Sequence, residues 1–239
     1  MYDQYGCGLS SLGLDKDKYT YCKKTWVEEL INLREKLGLE KMHMMGHSWG
    51  GMLSIIYLTD YSPQGILSAT LSSTLASASL WDKETHRLIR YLDKEDQLAI
   101  QEAEKTGDYT SEAFLKANKD YLKMTVRNLD EMKEIPECLT REKRTSPSYL
   151  TAWGVSEFKP MGNLKDYEYL DKLDKIKVPI LILSGADDES TPIQNKEMFD
   201  RIISEKEWRI LSPSRHSTYV EQNKMYQEYL KEFLEKHDK

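Results

Sequence analysis

The chain has 239 residues, of which 39% are hydrophobic and 31% charged, and its formal net charge is −6. That length suits one large α/β domain or a core with a lid. The acidic balance argues against nucleic acid as a partner, which usually meets a basic face, and no apolar run reaches the ~18–20 residues of a membrane-spanning helix.

Three cysteines, Cys7, Cys22 and Cys138, are odd in number and far apart. They read as free thiols in a reducing, cytoplasmic setting rather than as a disulfide framework. Neither CxxC nor a Cys/His cluster occurs, so no metal site is expected. The first residues show no basic stretch leading into an apolar one, so no signal peptide is expected. Oligomeric state is not legible.

Residues 19–37 predict an amphipathic helix. Trp26, Leu30, Leu33 and Leu37 recur at i, i+4, i+7 and i+11, and Gly38 can end it. Lys41-Met42-His43-Met44-Met45 has the length and character of a buried strand, and the residues after Ser48 predict a helix to about Thr59. Residues 66–75 read as the next strand and its exit. From Ser79 to Ser148 charged helical stretches take over, at 82–92, 94–105 and 111–128. An insertion of that length without a strand exceeds an ordinary crossover and predicts a lid.

Strand character resumes at Val178-Pro179-Ile180-Leu181-Ile182-Leu183, a run suited to a buried parallel strand. Thr191-Pro192 supplies an N-cap and a first helical residue for a helix through Ile203. Residues 208–211 form a short strand. Met225, Tyr229 and Phe233 mark a C-terminal amphipathic helix. The expected architecture is α/β: a mostly parallel core from 1–78 and 149–239, and a helical lid at 79–148. Residues 149–165 are the return to the core.

The chemistry centres on Gly46-His47-Ser48-Trp49-Gly50, a G-x-S-x-G pattern between a strand and a helix. In that context the pattern predicts a nucleophile elbow. The serine sits in strained backbone on a sharp turn, and glycine at the neighbouring positions removes Cβ clashes. The helix N-terminus then turns free N–H groups toward the reaction centre.

A serine hydroxyl needs a base within reach, and the base needs an orienting acid. The order Ser, Asp, His is met by Ser48, then Asp187 or Asp188 after the Val178 strand, then His216 after the Trp208 strand. These acids and the base fall at carboxyl ends of strands, where open α/β sheets gather their ligands. The adjacent aspartates point to different sides, so only one can orient His216. His43 reads as a packed core residue and His47 as a structural residue pointing away from the serine. His86 falls on a lid helix and His237 in the C-terminal tail.

Taken together, these segments resemble the proline iminopeptidases, or prolyl aminopeptidases, of the α/β-hydrolase superfamily, over nearly the whole chain. Asp3-Gln4-Tyr5-Gly6-Cys7-Gly8-Leu9-Ser10 is similar to that family's D-Q-x-G-x-G-x-S segment. Gly46 to Gly51 resembles its nucleophile motif, Gly185 to Pro192 its G-x-x-D-x-x-x-P acid segment, and Ser214-Arg215-His216 its base segment. The resemblance implies Asp188 as the acid, and the Trp49 backbone N–H as an oxyanion donor. It also implies that Glu157, in Gly154-Val155-Ser156-Glu157-Phe158, and Glu189 hold the substrate's free α-amine.

The implied reaction is hydrolysis of the N-terminal residue, such as proline, from a short peptide or aminoacyl amide through an acyl-enzyme on Ser48. It uses no cofactor and no metal. The alternatives are an esterase or amidase of the same fold, or a truncated chain of little activity. The last arises because the family carries an H-G-G-P-G-like loop upstream of D-Q-x-G, while here Met1 stands two residues before Asp3. The expectation is then a sheet lacking its first strands and one oxyanion donor, a loss worth ~2.7–4 kcal/mol in the barrier.

Overall fold

The computed structural model describes residues 2–7, 10, 20–128 and 147–238. Cys138, Gly8, Leu9 and the last part of the expected lid, 129–146, lie outside them. Four strands form one sheet in the order β1-β2-β3-β4. They are β1 (Met42–His47), β2 (Ile66–Ser72), β3 (Ile180–Gly185) and β4 (Lys206–Leu211), and every pairing is parallel.

The continuous apolar run of β3 follows from burial on both faces. Ile180 and Ile182 join the large cluster that holds α1 (Lys23–Lys36) and α2 (Trp49–Ile56), through Trp26, Val27, Ile55 and Ile56. Leu181 and Leu183 point the other way, against Tyr226 and Phe233.

Between β2 and β3 the chain leaves the sheet and forms α3 (Ala78–Ile89), α4 (Lys94–Thr106), α5 (Glu112–Thr125) and α6 (Pro147–Ala152). Helices α3, α4 and α5 have their own apolar cluster of Ile89, Ile100, Ala103, Phe114, Ala117 and Tyr121, closed by Phe158 from beyond α6. We call this unit the cap. It is also anchored below: Trp81 of α3 belongs to the core cluster and meets Trp153 edge-on at 5.6 Å.

After the sheet resumes come α7 (Pro192–Arg201), α8 (Thr218–Glu221) and α9 (Asn223–His237). Thr191 caps α7, accepting a hydrogen bond from the Gln194 N–H, with Pro192 in the first turn. Among the described residues no helix is long and apolar enough to cross a membrane.

Two histidines differ from expectation. His43 is only partly buried, because β1 is a sheet edge; its Nδ1 lies 2.8 Å from Ser68 Oγ. His47 does not point away from the site. At the end of β1 its ring lies 5.0 Å from that of His216, in edge contact with Tyr219 at 4.9 Å.

Candidate active site

Because all four strands are parallel, their carboxyl ends open on one side of the sheet. Ser48 follows β1 directly, Asp188 and Glu189 follow β3, and His216 follows β4. Ser48 has φ 52° and ψ −119°, in the left half-space that an L-residue adopts only under constraint. The constraint is visible. Its N–H donates to the Ser72 carbonyl at 2.9 Å, and its carbonyl accepts from Thr74 Oγ1 at 2.7 Å. The neighbouring Gly51 packs so closely that a Cβ there would lie 2.5 Å from Thr74.

Of the two adjacent aspartates, only Asp188 turns toward His216. Asp188 is buried, and its Oδ1 lies 2.8 Å from His216 Nδ1; Asp187 is exposed. Asp188 Oδ1 also accepts from the Ser190 N–H at 2.8 Å. With Nδ1 occupied, Nε2 is the imidazole nitrogen left for proton transfer. Among the described residues Ser48 and His216 share no hydrogen bond; such bonds are often long until substrate tightens them. The His47–His216 ring contact nevertheless puts the elbow and the imidazole side by side.

Burial disfavours a charged His216, but the Asp188 carboxylate and its hydrogen bond outweigh it and raise the pKa to about 9. Burial, together with the charge on His216, drops His47 to about 3, so His47 stays neutral beside it.

Ser48 and Glu157 line one cavity of about 220 Å³, walled by Trp26, Trp49, Trp81, Trp153 and Tyr149. That is smaller than the ~300–1,000 Å³ of ordinary ligand pockets, and mostly apolar. The Glu157 backbone is held tightly: its carbonyl accepts from Trp81 Nε1 at 2.9 Å and from Trp153 Nε1 at 3.3 Å. The Tyr149 hydroxyl donates to its carboxylate at 2.6 Å. Glu189 is buried, with one carboxylate oxygen 4.0 Å from His216 Nδ1. Burial, then the nearby Glu157, holds the Glu189 carboxyl well above the usual carboxylate range.

Sequence reasoning assigned no role to several residues that build this site. Tyr149, Trp81 and Trp153 fix Glu157, and Thr74 holds the elbow. Gln4 accepts from Trp49 Nε1 at 2.5 Å, which anchors the residue after Ser48. Glu84 of α3 accepts from Thr191 Oγ1 at 2.8 Å and from Arg87 Nη2 at 2.9 Å, tying the cap to the acid loop. Only Gln4 lay in a recognisable segment; the others carry no local signal.

Residues 1–222 match the family described as alpha/beta hydrolase fold. The proline iminopeptidase of Lactobacillus helveticus strain DPC 4571 is 53% identical over 239 residues, covering 100% of this chain and 80% of that protein. The chain belongs to the proline iminopeptidase family. A second member, from Clostridium botulinum, is 44% identical over the same span and likewise covered to 80%. The crystal structure of the proline iminopeptidase of Mycobacterium smegmatis superposes with a TM-score of 0.85 at 28% identity, over 99% of this chain and 79% of that one. Membership makes the chain a serine-hydrolase-type peptidase, whose substrates are peptides.

Proposed function

We propose that this member of the family releases the N-terminal residue, proline among others, of short peptides and aminoacyl amides, with Ser48 as nucleophile. The observation that carries this reading is the common cavity of Ser48 and Glu157. A carboxylate anchored in the wall of a small, mostly apolar pocket gives a free α-ammonium a charged partner. An ammonium held there, in the cavity that Ser48 also lines, suits an exopeptidase, which acts on the residue bearing the free amine.

In this reading a substrate ammonium beside Glu157 and Glu189 lowers the His216 pKa and favours its neutral form. Ser48 Oγ attacks the carbonyl carbon of the first residue as neutral His216 Nε2 takes its proton. Asp188 holds the imidazole and stabilises the imidazolium. As the first residue of α2, Trp49 has an N–H without an intrahelical acceptor, and that N–H faces the developing oxyanion. His216 then protonates the leaving amine. Water, deprotonated by the same histidine, hydrolyses the ester on Ser48. Glu157 and Glu189 bind the ammonium; its positive charge favours ionised Glu189, against the burial that raises its pKa.

Three cysteines, odd in number and far apart in the sequence, suit a reducing compartment better than a disulfide framework, so we read the enzyme as cytoplasmic. The test compares an aminoacyl amide with its N-acetylated form. A preference of ~10–100-fold in kcat/KM for the free amine is expected, the worth of a charge-assisted hydrogen bond. Equal turnover of the two sinks the aminopeptidase reading in favour of an amidase or esterase.

A further inference from the structure

The loop that carries His216 is not held by the sheet alone. Its residues reach across to the end of cap helix α5. The His216 N–H donates to the Thr125 carbonyl at 3.1 Å and the Ser217 N–H to the Val126 carbonyl at 3.1 Å. Arg215 Nε donates to the Met124 carbonyl at 3.2 Å. The last carbonyls of a helix have no intrahelical donor and usually take a cap or water. Here the loop of the proposed base supplies the donors. The partial negative charge of a helix C-terminus also favours a cation such as Arg215.

The same arginine is tied to the core. Its Nη1 lies 3.1 Å from Glu221 Oε1 of α8, and Glu221 Oε2 accepts from the Arg215 N–H at 2.6 Å and from Ser214 Oγ at 3.2 Å. Glu221 is 10% exposed and Arg215 23%, so solvent screens this bridge little. One turn before Thr125, the same helix carries Tyr121, whose phenol is pushed well up by burial and then by Glu189 and Glu157. Helix α5 thus borders both the base and the carboxylates of the amine site.

We propose that Arg215 is a positioning residue: bridging Glu221 of the core and the α5 terminus of the cap, it sets His216 against Ser48 only when the cap is seated. This rests on His216 being the base. The alternative is a plain loop anchor, whose loss would lower stability without touching the imidazole. The two differ in what they do to His216, which faces Asp188 and Glu189 from the acid loop and His47 from β1, with Arg215 and Glu221 beside its own backbone.

The experiment uses the full chain, with Arg215→Met, Arg215→Lys, Glu221→Gln and His216→Ala. It measures kcat and KM on a free-amine aminoacyl amide, the rate of Ser48 labelling by a fluorophosphonate, and the His216 titration by NMR. For Arg215→Met we expect kcat and labelling to fall ~10–100-fold, the effect of a misplaced catalytic group, with KM within about threefold. The His216 pKa should drop from about 9 toward ~6.5 as the Asp188 contact loosens. Removing a positive charge on its own would move it up, so the direction separates loosening from a simple charge effect.

Arg215→Lys, which keeps the charge beside Glu221, should recover most of the labelling rate. Unchanged kcat, labelling and titration in folded Arg215→Met overturn the proposal. If that variant does not fold, Glu221→Gln decides by the same readouts, and wild-type values in that variant overturn it. His216→Ala is the separate control: if it retains labelling, the base assignment itself has failed, whatever Arg215 does.

Discussion

Gly46 and Gly50 flank the serine at equal distance in the chain, yet only one of them is required by space. A Cβ on Gly46 would run into the Gly50 carbonyl and the Gly51 nitrogen, whereas a Cβ on Gly50 would meet nothing within 4 Å. The two glycines of the motif therefore have different physical reasons. The first lets strand and helix backbones cross at the elbow; the second sits in the opening turn of α2 with room to spare.

Substitution should separate them. Gly46→Ala forces backbone apart at the strained serine and should cost at least ~1–3 kcal/mol, with loss of fluorophosphonate labelling. Gly50→Ala should leave the melting temperature unchanged or raise stability by up to ~1 kcal/mol, since alanine is the better helix former. Equal destabilisation by the two, read in urea melts, would contradict this account.

The proposed amine site should release a proton when it fills. Burial, then Glu157, holds Glu189 well above the usual carboxylate range, and an arriving ammonium favours its ionised form. Affinity for a free-amine ligand should therefore rise with pH through the Glu189 titration, until the ligand's own amine deprotonates. Calorimetry of Ser48→Ala in two buffers of different ionisation enthalpy measures the proton directly. Glu189→Gln should abolish the release, and a buffer-independent heat in the parent would refute the coupling.

The cap carries its own pH dependence. His86 of α3 lies 2.9 Å from Glu104 Oε1 of α4 and 2.7 Å from the Asp82 carbonyl. The bond to Glu104, against partial burial and with help from Asp82, raises it to about 8. A histidine raised above its unfolded value of ~6.5 contributes stability fully below that pH and loses it as pH rises through the folded value. Hydrogen exchange in α3 and α4, corrected for intrinsic rate, should accelerate between pH 6 and 9. His86→Gln should flatten that change; an undiminished pH effect in the variant would assign it elsewhere.

Much of the fold was legible because its signals are local. The Val178 run announced a strand buried on both faces, and Thr191-Pro192 placed the start of α7 to the residue. The charged helices at 82–92, 94–105 and 111–128 lie over α3, α4 and α5. One boundary moved for a local reason: α3 begins at Ala78, because Ser77 caps it by accepting from the Leu80 N–H.

The sequence by itself determined the family and singled out Ser48 and His216 as candidate nucleophile and base, because a strained serine between a strand and a helix needs a recognisable run of residues. It reduced the acid to two neighbours, and only the resemblance preferred Asp188. Tertiary structure turns Asp188 inward onto His216 and leaves Asp187 in solvent. It also decided what surrounds the chemistry. Tyr149 and two tryptophans on Glu157, Glu84 on Thr191, and the α5 carbonyls on the His216 loop join residues 4 to 107 positions apart. Such contacts depend on how the cap is laid on the sheet. No spacing along the chain records that, because side chains meet there through folding rather than through sequence neighbourhood.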